Sequence, residues 1–292
     1  MSLDYIAEQV FNGLASGAYY ALLALGLSII FGTLRVINFA HGAIYMLGAF
    51  GAYYGAQLIG LPFWAALILV PLVVGLLSMP VESFALRRLA SSDPIYGLLL
   101  TFAFTLIIVN VMTLLAGTLG SPYTIPQALS GATNLGFTLY PTYRLFVIAV
   151  SLAVCFVAWL VIDRSLLGAR IRATIEAPAL VRAFGVNTPR LVTITFGVGV
   201  AIAALAGVLA APTTNVLPTM GDDIIIYTFA IVVIGGLGSI TGSIIAGFIL
   251  GLLQAIGAVY YPPIATTLIF IVMVFVIWLR PSGLLGRPDS AR

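Results

Sequence analysis

The sequence predicts an all-α fold, a polytopic bundle of membrane-spanning helices organised as one domain over residues 1–292. Hydrophobic residues make up 62% of the chain and charged residues only 7%, whereas soluble domains carry about 25% charged residues. So few charged side chains cannot cover a water-soluble globule of this size, because its surface is where they normally lie. The apolar residues are also continuous. Long stretches without Asp, Glu or Arg cover 9–34, 36–81, 94–143, 145–162, 191–221 and 224–279.

These stretches divide into eight or nine crossings, since a helical crossing needs about 20 apolar residues. Breaks rich in Gly and Pro separate neighbouring crossings; they lie at 60–62, after 117, at 235–243 and at 260–263. Short or broken helices are expected beside the last two breaks. The predicted crossings cover about 9–31, 42–60, 63–82, 95–117, 145–162, 191–212, 224–238, 243–260 and 264–279. The count is eight if 224–238 enters the membrane without crossing it, and one terminus then changes sides.

Two of the predicted crossings carry repeated glycines. Small residues let helix backbones approach closely in lipid, where hydrophobic association is absent. The glycines are Gly42, Gly48, Gly51 and Gly55 in one crossing, and Gly242, Gly247 and Gly251 in the other. We therefore expect tight helix packing along both crossings.

The arginines indicate which side of the membrane each loop faces, because cytoplasmic loops are enriched in Lys and Arg. All twelve bases of the chain are Arg. Arg35, the segments 83–93 and 163–190, and the tail after residue 279 hold eleven of these twelve. Placing these regions in the cytoplasm leaves Arg144 alone on the outer side. The arrangement predicts nine crossings, with the N-terminus outside and the C-terminus in the cytoplasm.

The composition excludes several classes of function. A chain without lysine cannot complete the phosphate-binding Walker A motif, so any ATP hydrolysis belongs to another chain. Gradient-driven transporters place carboxylates at membrane depth, and all nine acids here lie at segment edges or in loops. His41 alone could shuttle a proton, and a single His is more often structural. The sequence shows no metal-ligating cluster, no cofactor motif, no catalytic constellation and no basic stripe for nucleic acid. A gradient-driven secondary transporter and a passive channel for small polar solutes stay open as alternatives.

The segment 163–190 is the longest predicted cytoplasmic loop and the most charged part of the chain. Within it, Ile171, Ile175 and Ala179 recur at a spacing of four residues, which is typical of one helix face. This spacing predicts that the preceding crossing extends as a helix into the cytoplasm. The extension is expected to break near Pro178.

A short helix of about 178–184 is expected after this break, because proline suits the first helical position and Gly185 suits the position that follows the last turn. Its apolar residues would lie on one side; they are Leu180, Val181 and Phe184. Arg182 would lie on another side. Such a helix either lies on the lipid surface or inserts into a groove of a partner protein, and the pattern alone favours neither.

Two breaks between crossings could line a pathway through the membrane. The segment 34–42 is either a cytoplasmic turn or a broken helix that lines the pathway, where Asn38 and His41 offer hydrogen bonds beside Gly42. Irregular backbone at membrane depth is tolerated only where it lines a cavity or is buried in protein. The same two interpretations apply to the break at 235–243, with Gly235, Gly236 and Gly238.

Four motifs, in order along the chain, resemble the permease subunits of ABC importers for branched-chain amino acids. They are GLSIIFGTLRVINFAHGAIYMLGAF (26–50), GARIRATIEAPALVRAFGVN (168–187) leading into FGVGVAIAALAGVLAAP (196–212), VIGGLGSITGSIIAGFILGLL (233–253) and LRPSGLLGR (279–287). The resemblance extends over nearly the whole chain. It implies a single transmembrane permease domain in the bacterial cytoplasmic (inner) membrane.

The resemblance also implies partners. Two permease chains line one path, two ATPase subunits bind on the cytoplasmic side, and a periplasmic binding protein delivers the substrate. The family usually pairs two different permease chains. The chain itself would be non-catalytic and without a cofactor, surrounded by membrane lipid. Its substrate would be branched-chain or other hydrophobic amino acids, with urea, short amides and aromatic acids as alternatives that related permeases carry.

The resemblance further implies that 163–190 couples the permease to the ATPase. The residues implied are Arg170, Arg172, Glu176, Pro178, Leu180, Arg182, Phe184 and Gly185. Arg182 and Glu176 are expected to contact the ATPase. The family usually has an acidic residue where Ala177 stands, and this departure affects the detailed contacts. The outer loops 118–143 and 213–223, with Asp222 and Asp223, are candidate docking surfaces for the binding protein.

Overall fold

The computed structural model describes residues 3–34, 36–89, 93–136 and 138–286, and most of them are helical. Arg35, Arg287 and Arg292, which the predicted orientation uses, lie outside the described residues. The α-helices in these ranges are α1 (Leu3–Leu34), α2 (His41–Ile59), α3 (Phe63–Val81), α4 (Arg87–Leu89), α5 (Pro94–Ala116), α6 (Thr142–Trp159), α7 (Leu166–Glu176), α8 (Pro178–Ala183), α9 (Thr188–Ala210), α10 (Met220–Gly235), α11 (Ile240–Tyr260), α12 (Pro262–Ala265) and α13 (Leu268–Leu279). A small antiparallel hairpin joins β1 (Ala132–Asn134) to β2 (Leu139–Pro141).

Six helical segments of the described residues are long and apolar enough to cross a membrane. They are Asp4–Leu34, Phe63–Leu89, Ile95–Ala116, Thr142–Arg164, Thr188–Ala210 and Ile240–Tyr260. The predicted all-α, polytopic class is therefore confirmed. The helices α2, α10 and α13 occupy the other three predicted crossings without being among these six, so the number of crossings stays a prediction.

Two of the six segments extend past an α-helix through a π-helical turn. Glu82–Leu86 continues α3 into α4, and Leu160–Arg164 continues α6. In a π-helix each N–H bonds the carbonyl five residues earlier, and the N–H of Arg87 accordingly donates to the carbonyl of Glu82. The third predicted crossing, about 63–82, therefore continues as a helix to Leu89.

Glycine and proline end the helices where the sequence suggested. The helix α2 ends at Gly60, whose φ of +64° is a left-handed conformation that glycine adopts without strain. The N–H of Gly60 bonds the carbonyl of Ala56, and the N–H of Leu61 bonds that of Gly55. These bonds satisfy the last carbonyls of the helix. By contrast, the predicted crossing 264–279 is interrupted between α12 and α13, at Thr266 and Thr267.

The helices pack into two compact units, and the prediction of one permease domain stays a prediction. The first unit comprises residues up to Leu25, 124–156 and from Ile226 onward. In it, α1 packs on α11 through small residues: a Cβ on Gly251 would lie 2.4 Å from the α-carbon of Gly17. The hydroxyl of Tyr20 also donates to Gln254 at 2.7 Å. The glycine pattern of this crossing thus predicted its tight packing.

The second unit comprises residues 26–123 and 157–225, and α9 is its central helix. One face of α9 packs against α2, where a Cβ on Gly207 would lie 1.9 Å from the carbonyl oxygen of Tyr45. Another face packs against α3, where a Cβ on Gly75 would lie 2.8 Å from the carbonyl oxygen of Gly197. Most of α9 is buried, whereas little of α5 is. Exposed apolar helices of this kind are expected to face lipid.

Candidate functional site

The predicted coupling segment begins with a break at Ser165. This residue is extended (φ −101°, ψ 163°), and its hydroxyl accepts hydrogen bonds from the N–H groups of Leu167 and Gly168. Such a cap satisfies donors that the first turn of α7 would otherwise leave unpaired. The predicted helical extension of the crossing up to Pro178 is therefore wrong. Ile171 and Ile175 lie in the new helix α7, where Ile171 is buried, whereas Ala179 belongs to α8.

The helix α7 folds against the last turn of the α6 segment. The guanidinium of Arg172 donates to the carbonyl of Ile162 and lies 3.9 Å from the carboxylate of Asp163. A Cβ on Gly168 would lie 1.9 Å from the same carbonyl, so only glycine fits there. Arg172, one of the predicted coupling residues, thus has a bonding role inside the chain.

The helix α8 has the start and end that the sequence predicted. It begins at Pro178 and ends before Gly185, which has a φ of +80°. Val181 is buried, whereas Leu180 is 60% exposed and Phe184 78% exposed. The prediction that the three apolar residues share one side is therefore wrong: Val181 faces the protein, and Leu180 and Phe184 point away from it.

The coupling segment as a whole presents a mixed apolar and charged surface. Seven of the eight predicted coupling residues are exposed, and Arg172 is the partly buried exception; the exposed ones are Arg170, Glu176, Pro178, Leu180, Arg182, Phe184 and Gly185. Exposed aromatic and Arg side chains, here Phe184 and Arg182, are enriched in protein–protein interfaces. The geometry suits docking to another protein.

An ion pair whose carboxylate is buried lies beside the end of this segment, and sequence reasoning missed it. Glu82 is fully buried and accepts from the guanidinium of Arg87 at 2.6 and 3.2 Å. The same guanidinium donates to the carbonyl of Pro189 at 3.0 Å and to the hydroxyl of Thr193. Both acceptors lie in the first turns of α9, and Asn187 caps that helix by accepting from the N–H of Arg190. The only signal in the sequence was an acid and a base five residues apart.

The polar break before α2 is buried in protein. Asn38 is 2% exposed, and its side-chain oxygen accepts from the N–H of Ala40 at 3.1 Å. Among the described residues, its Nδ2 atom has no hydrogen-bond partner. The hydroxyl of Thr101 donates to the carbonyl of Ile37 and accepts from the N–H of Phe39, so the irregular backbone is tied to α5.

His41 and Gly42 begin α2 in the same unit. His41 is fully buried, and a Cβ on Gly26 would lie 3.1 Å from its ring. A Cβ on Gly42 would lie 2.3 Å from the carbonyl oxygen of Gly221. The structure thus gathers Asn38, His41 and Gly42 in one closely packed region of the second unit.

The glycines at the second break belong to the first unit and contact the C-terminal tail. Gly236 and Gly238 have φ values of +104° and +79°. The N–H groups of Leu284 and Leu285 donate to the carbonyls of Ile234 and Gly235 at 2.8 and 3.1 Å. The tail motif therefore completes the hydrogen bonding at the end of α10.

The two predicted docking loops meet in the structure. Ser121 and Val216 exchange two backbone hydrogen bonds of 3.0 Å each, which join the loop after α5 to the loop after α9. Asp222 and Asp223 are exposed in the first turn of α10. Partial desolvation and, second, the charge of Asp223 raise the pKa of Asp222.

The chain is similar to known transport permeases along nearly its whole length. A family model described as the permease component of branched-chain amino acid transport systems matches residues 9–279. The high-affinity branched-chain amino acid permease BraD of Pseudomonas aeruginosa is 30% identical, with 97% of this chain and 96% of BraD covered. LivH of Escherichia coli K12 is 29% identical over 98% and 97% of the two chains. A LivH protein of Methanocaldococcus jannaschii, described as a probable permease of the same kind, is 27% identical over 91% and 88%.

The family match covers almost every described element, from within α1 to the last residue of α13. The matched relatives are also covered nearly end to end. Together with the apolar helices, these matches make the chain a multi-pass membrane protein. This chain belongs to the family of permease components of branched-chain amino acid transport systems.

Proposed function

We propose that this chain is a membrane-spanning, non-catalytic permease subunit of an ATP-driven importer, and that its substrate is a branched-chain or similar hydrophobic amino acid. The substrate follows the names of the relatives. The observation that carries the mechanism is the exposure of Leu180 and Phe184 on α8. A short helix with exposed apolar anchors fits a groove on a partner protein.

The partner on this segment is the ATPase. The segment 163–190 carries five of the twelve arginines, which supports a cytoplasmic position. The N-terminus is then outside and the C-terminus is in the cytoplasm of a bacterial cell. In this arrangement Arg182 and Glu176 flank the apolar anchors and contact the ATPase. Closure of the ATPase pair on ATP moves α8, and with it the neighbouring helices.

The outer loops receive the periplasmic binding protein. The bridge between Ser121 and Val216 gives the loops of the second unit a common backbone frame, and Asp222 and Asp223 add negative charge beside it. A second permease chain of different sequence completes the translocation path. The large exposed apolar surface of α5 leaves room for both that chain and lipid.

The translocation path involves the break before α2. The amide nitrogen of Asn38 is buried and without a partner among the described residues, and a buried unpaired donor costs free energy unless something binds it. A carboxylate of a passing amino acid is a suitable acceptor. Gly235, Gly236 and Gly238 stay candidates for the path, although Gly235 contacts α11 and Gly236 contacts the tail.

Reconstitution in vesicles tests this function. The chain is purified in mild detergent from its own cells and reconstituted with the proteins that accompany it, and uptake of labelled leucine is measured with and without ATP. We expect an ATPase to accompany the chain and uptake to require ATP. Uptake that proceeds without the ATPase and stops with a proton ionophore would support a gradient-driven transporter instead. Flux that only follows the leucine gradient would support a channel.

A further inference from the structure

The ion pair between Glu82 and Arg87 depends on the π-helical turn that contains it. In an α-helix, residues five apart point about 140° away from one another, because each turn takes 3.6 residues. The turn Glu82–Leu86 widens the helix, and this brings the guanidinium of Arg87 over the carboxylate of Glu82. The other π-helical turn has the same consequence, since Arg164 lies 5.0 Å from the ring of Trp159, also five residues earlier. Such turns are uncommon and are frequently found at functional sites.

The carboxylate of Glu82 is fully buried and has three donated hydrogen bonds. Two come from Arg87, and the third comes from the hydroxyl of Thr193 at 2.7 Å. Two hydrogen bonds from one guanidinium to one carboxylate fix both groups in direction as well as distance. A buried ion pair contributes little net stability on average, and its better-attested role is to specify one arrangement of the chain.

The arrangement specified here joins α3 to the helix that follows the coupling segment. Arg87 also donates to the carbonyl of Pro189 and to the hydroxyl of Thr193, both in the first turns of α9. Five residues, 184–188, separate the end of α8 from this contact at Pro189. Further along, α3 and α9 are in backbone contact at Gly75 and Gly197. A displacement of α8 that moves the start of α9 therefore reaches α3 through Arg87.

We propose that Glu82, Arg87 and Thr193 form a clamp that transmits movement of the coupling segment into the α3–α9 helix pair, which makes them positioning residues for ATP-driven transport. This inference rests on the proposed function, because it needs an ATPase that moves α8. The clamp contacts the C-terminal end of the coupling segment, whereas α8 itself binds the ATPase. Loss of the clamp therefore leaves the ATPase bound and active but loosens the connection between hydrolysis and transport.

The experiment compares two threonines of α9 in the reconstituted complex. Thr193→Val removes the clamp hydroxyl, and Thr195→Val removes a hydroxyl that bonds the carbonyl of Leu191 in its own helix. For the Thr193 variant we expect the leucine taken up per ATP hydrolysed to fall about tenfold, the change that loss of one charge-assisted hydrogen bond produces. Thr193→Ser, which restores the hydroxyl, is expected to restore this ratio. The Thr195 variant is expected to keep it.

A second pair of variants tests the charges. Arg87→Gln is expected to lower the ratio at least as much as Thr193→Val, whereas the neighbouring exposed residue changed in Arg88→Gln is expected to leave it unchanged. A merely structural clamp would reduce the amount of assembled complex in the Thr193 variant and leave the ratio of uptake to hydrolysis unchanged, which would overturn the proposal. An equal loss in the Thr195 variant would also overturn it. If the unaltered chain has no ATPase partner, the proposed function fails first, and the clamp fails with it.

Discussion

The exposed anchors of α8 give a quantitative prediction for ATPase binding. Complete burial of a Leu or Phe side chain contributes about 1.5–3 kcal/mol. Leu180 is 60% exposed and Phe184 is 78% exposed in the free chain, so docking can gain roughly 0.9–1.8 and 1.2–2.3 kcal/mol respectively from the remaining area. The double substitution Leu180→Ala with Phe184→Ala is therefore expected to cost about 2–4 kcal/mol of binding free energy, a roughly 30- to 1,000-fold rise in Kd.

The assay is the binding of purified ATPase to the permease in nanodiscs, measured as Kd over a concentration series. A matched control replaces two equally exposed leucines, Leu58 and Leu114, by alanine; they are 78% and 85% exposed and lie at helix ends that are predicted to face outside. The control variant is expected to bind the ATPase as the unaltered chain does. Unchanged affinity in the α8 variant, or an equal loss in the control, would show that α8 is not the docking element.

Three further predictions concern packing, orientation and the path. Gly207→Ala puts a methyl 1.9 Å from a backbone oxygen of α2, so thermal unfolding in detergent should show that the free energy of unfolding falls by about 1–3 kcal/mol. In the control Gly131→Ala the methyl meets only ordinary contacts, and the free energy of unfolding should not change. Equal stability of the two variants would contradict the close approach of α2 and α9. Ala132→Cys should react with a membrane-impermeant thiol reagent in intact cells, and Ala179→Cys should react only after lysis. Labelling of the Ala179→Cys variant in intact cells would contradict the predicted orientation. Asn38→Ala should slow leucine uptake while the assembled complex and its basal ATP hydrolysis are retained, and unchanged uptake would remove this side chain from the path.

The sequence predicted most helix ends well, because the residues that begin and end a helix act locally. Gly60 ends α2, and Pro178 and Gly185 bound α8, since each residue acts through its own backbone conformation. The break at Ser165 was missed for the opposite reason. The apolar stretch that ends at Ile162 and the spacing that includes Ile171 are both typical of one continuous helix, and a serine between them marks a new start only once its hydroxyl is seen to cap the next turn.

The sides of helices were predicted less well than their ends. The pattern of α8 placed Val181 with Leu180 and Phe184, because a six-residue helix gives too few turns to define an apolar face. Burial of Val181 depends on what surrounds α8, which its own six residues do not contain. The same holds for the glycines at 235–238, whose contacts come from a tail about fifty residues further along the chain.

The sequence by itself determined that this chain is a membrane protein and where most of its helices begin and end. These properties depend on composition and on neighbouring residues, because transfer of a segment into lipid is governed by its own side chains and backbone. The tertiary structure decided that the carboxylate of Glu82 is buried and that its ion pair joins α3 to α9. Glu82 lies at a helix end that looked solvent-exposed in the sequence. It can be buried because Arg87, which a π-helical turn brings to it, compensates its charge, and because Thr193, from more than a hundred residues away, donates a hydrogen bond to it.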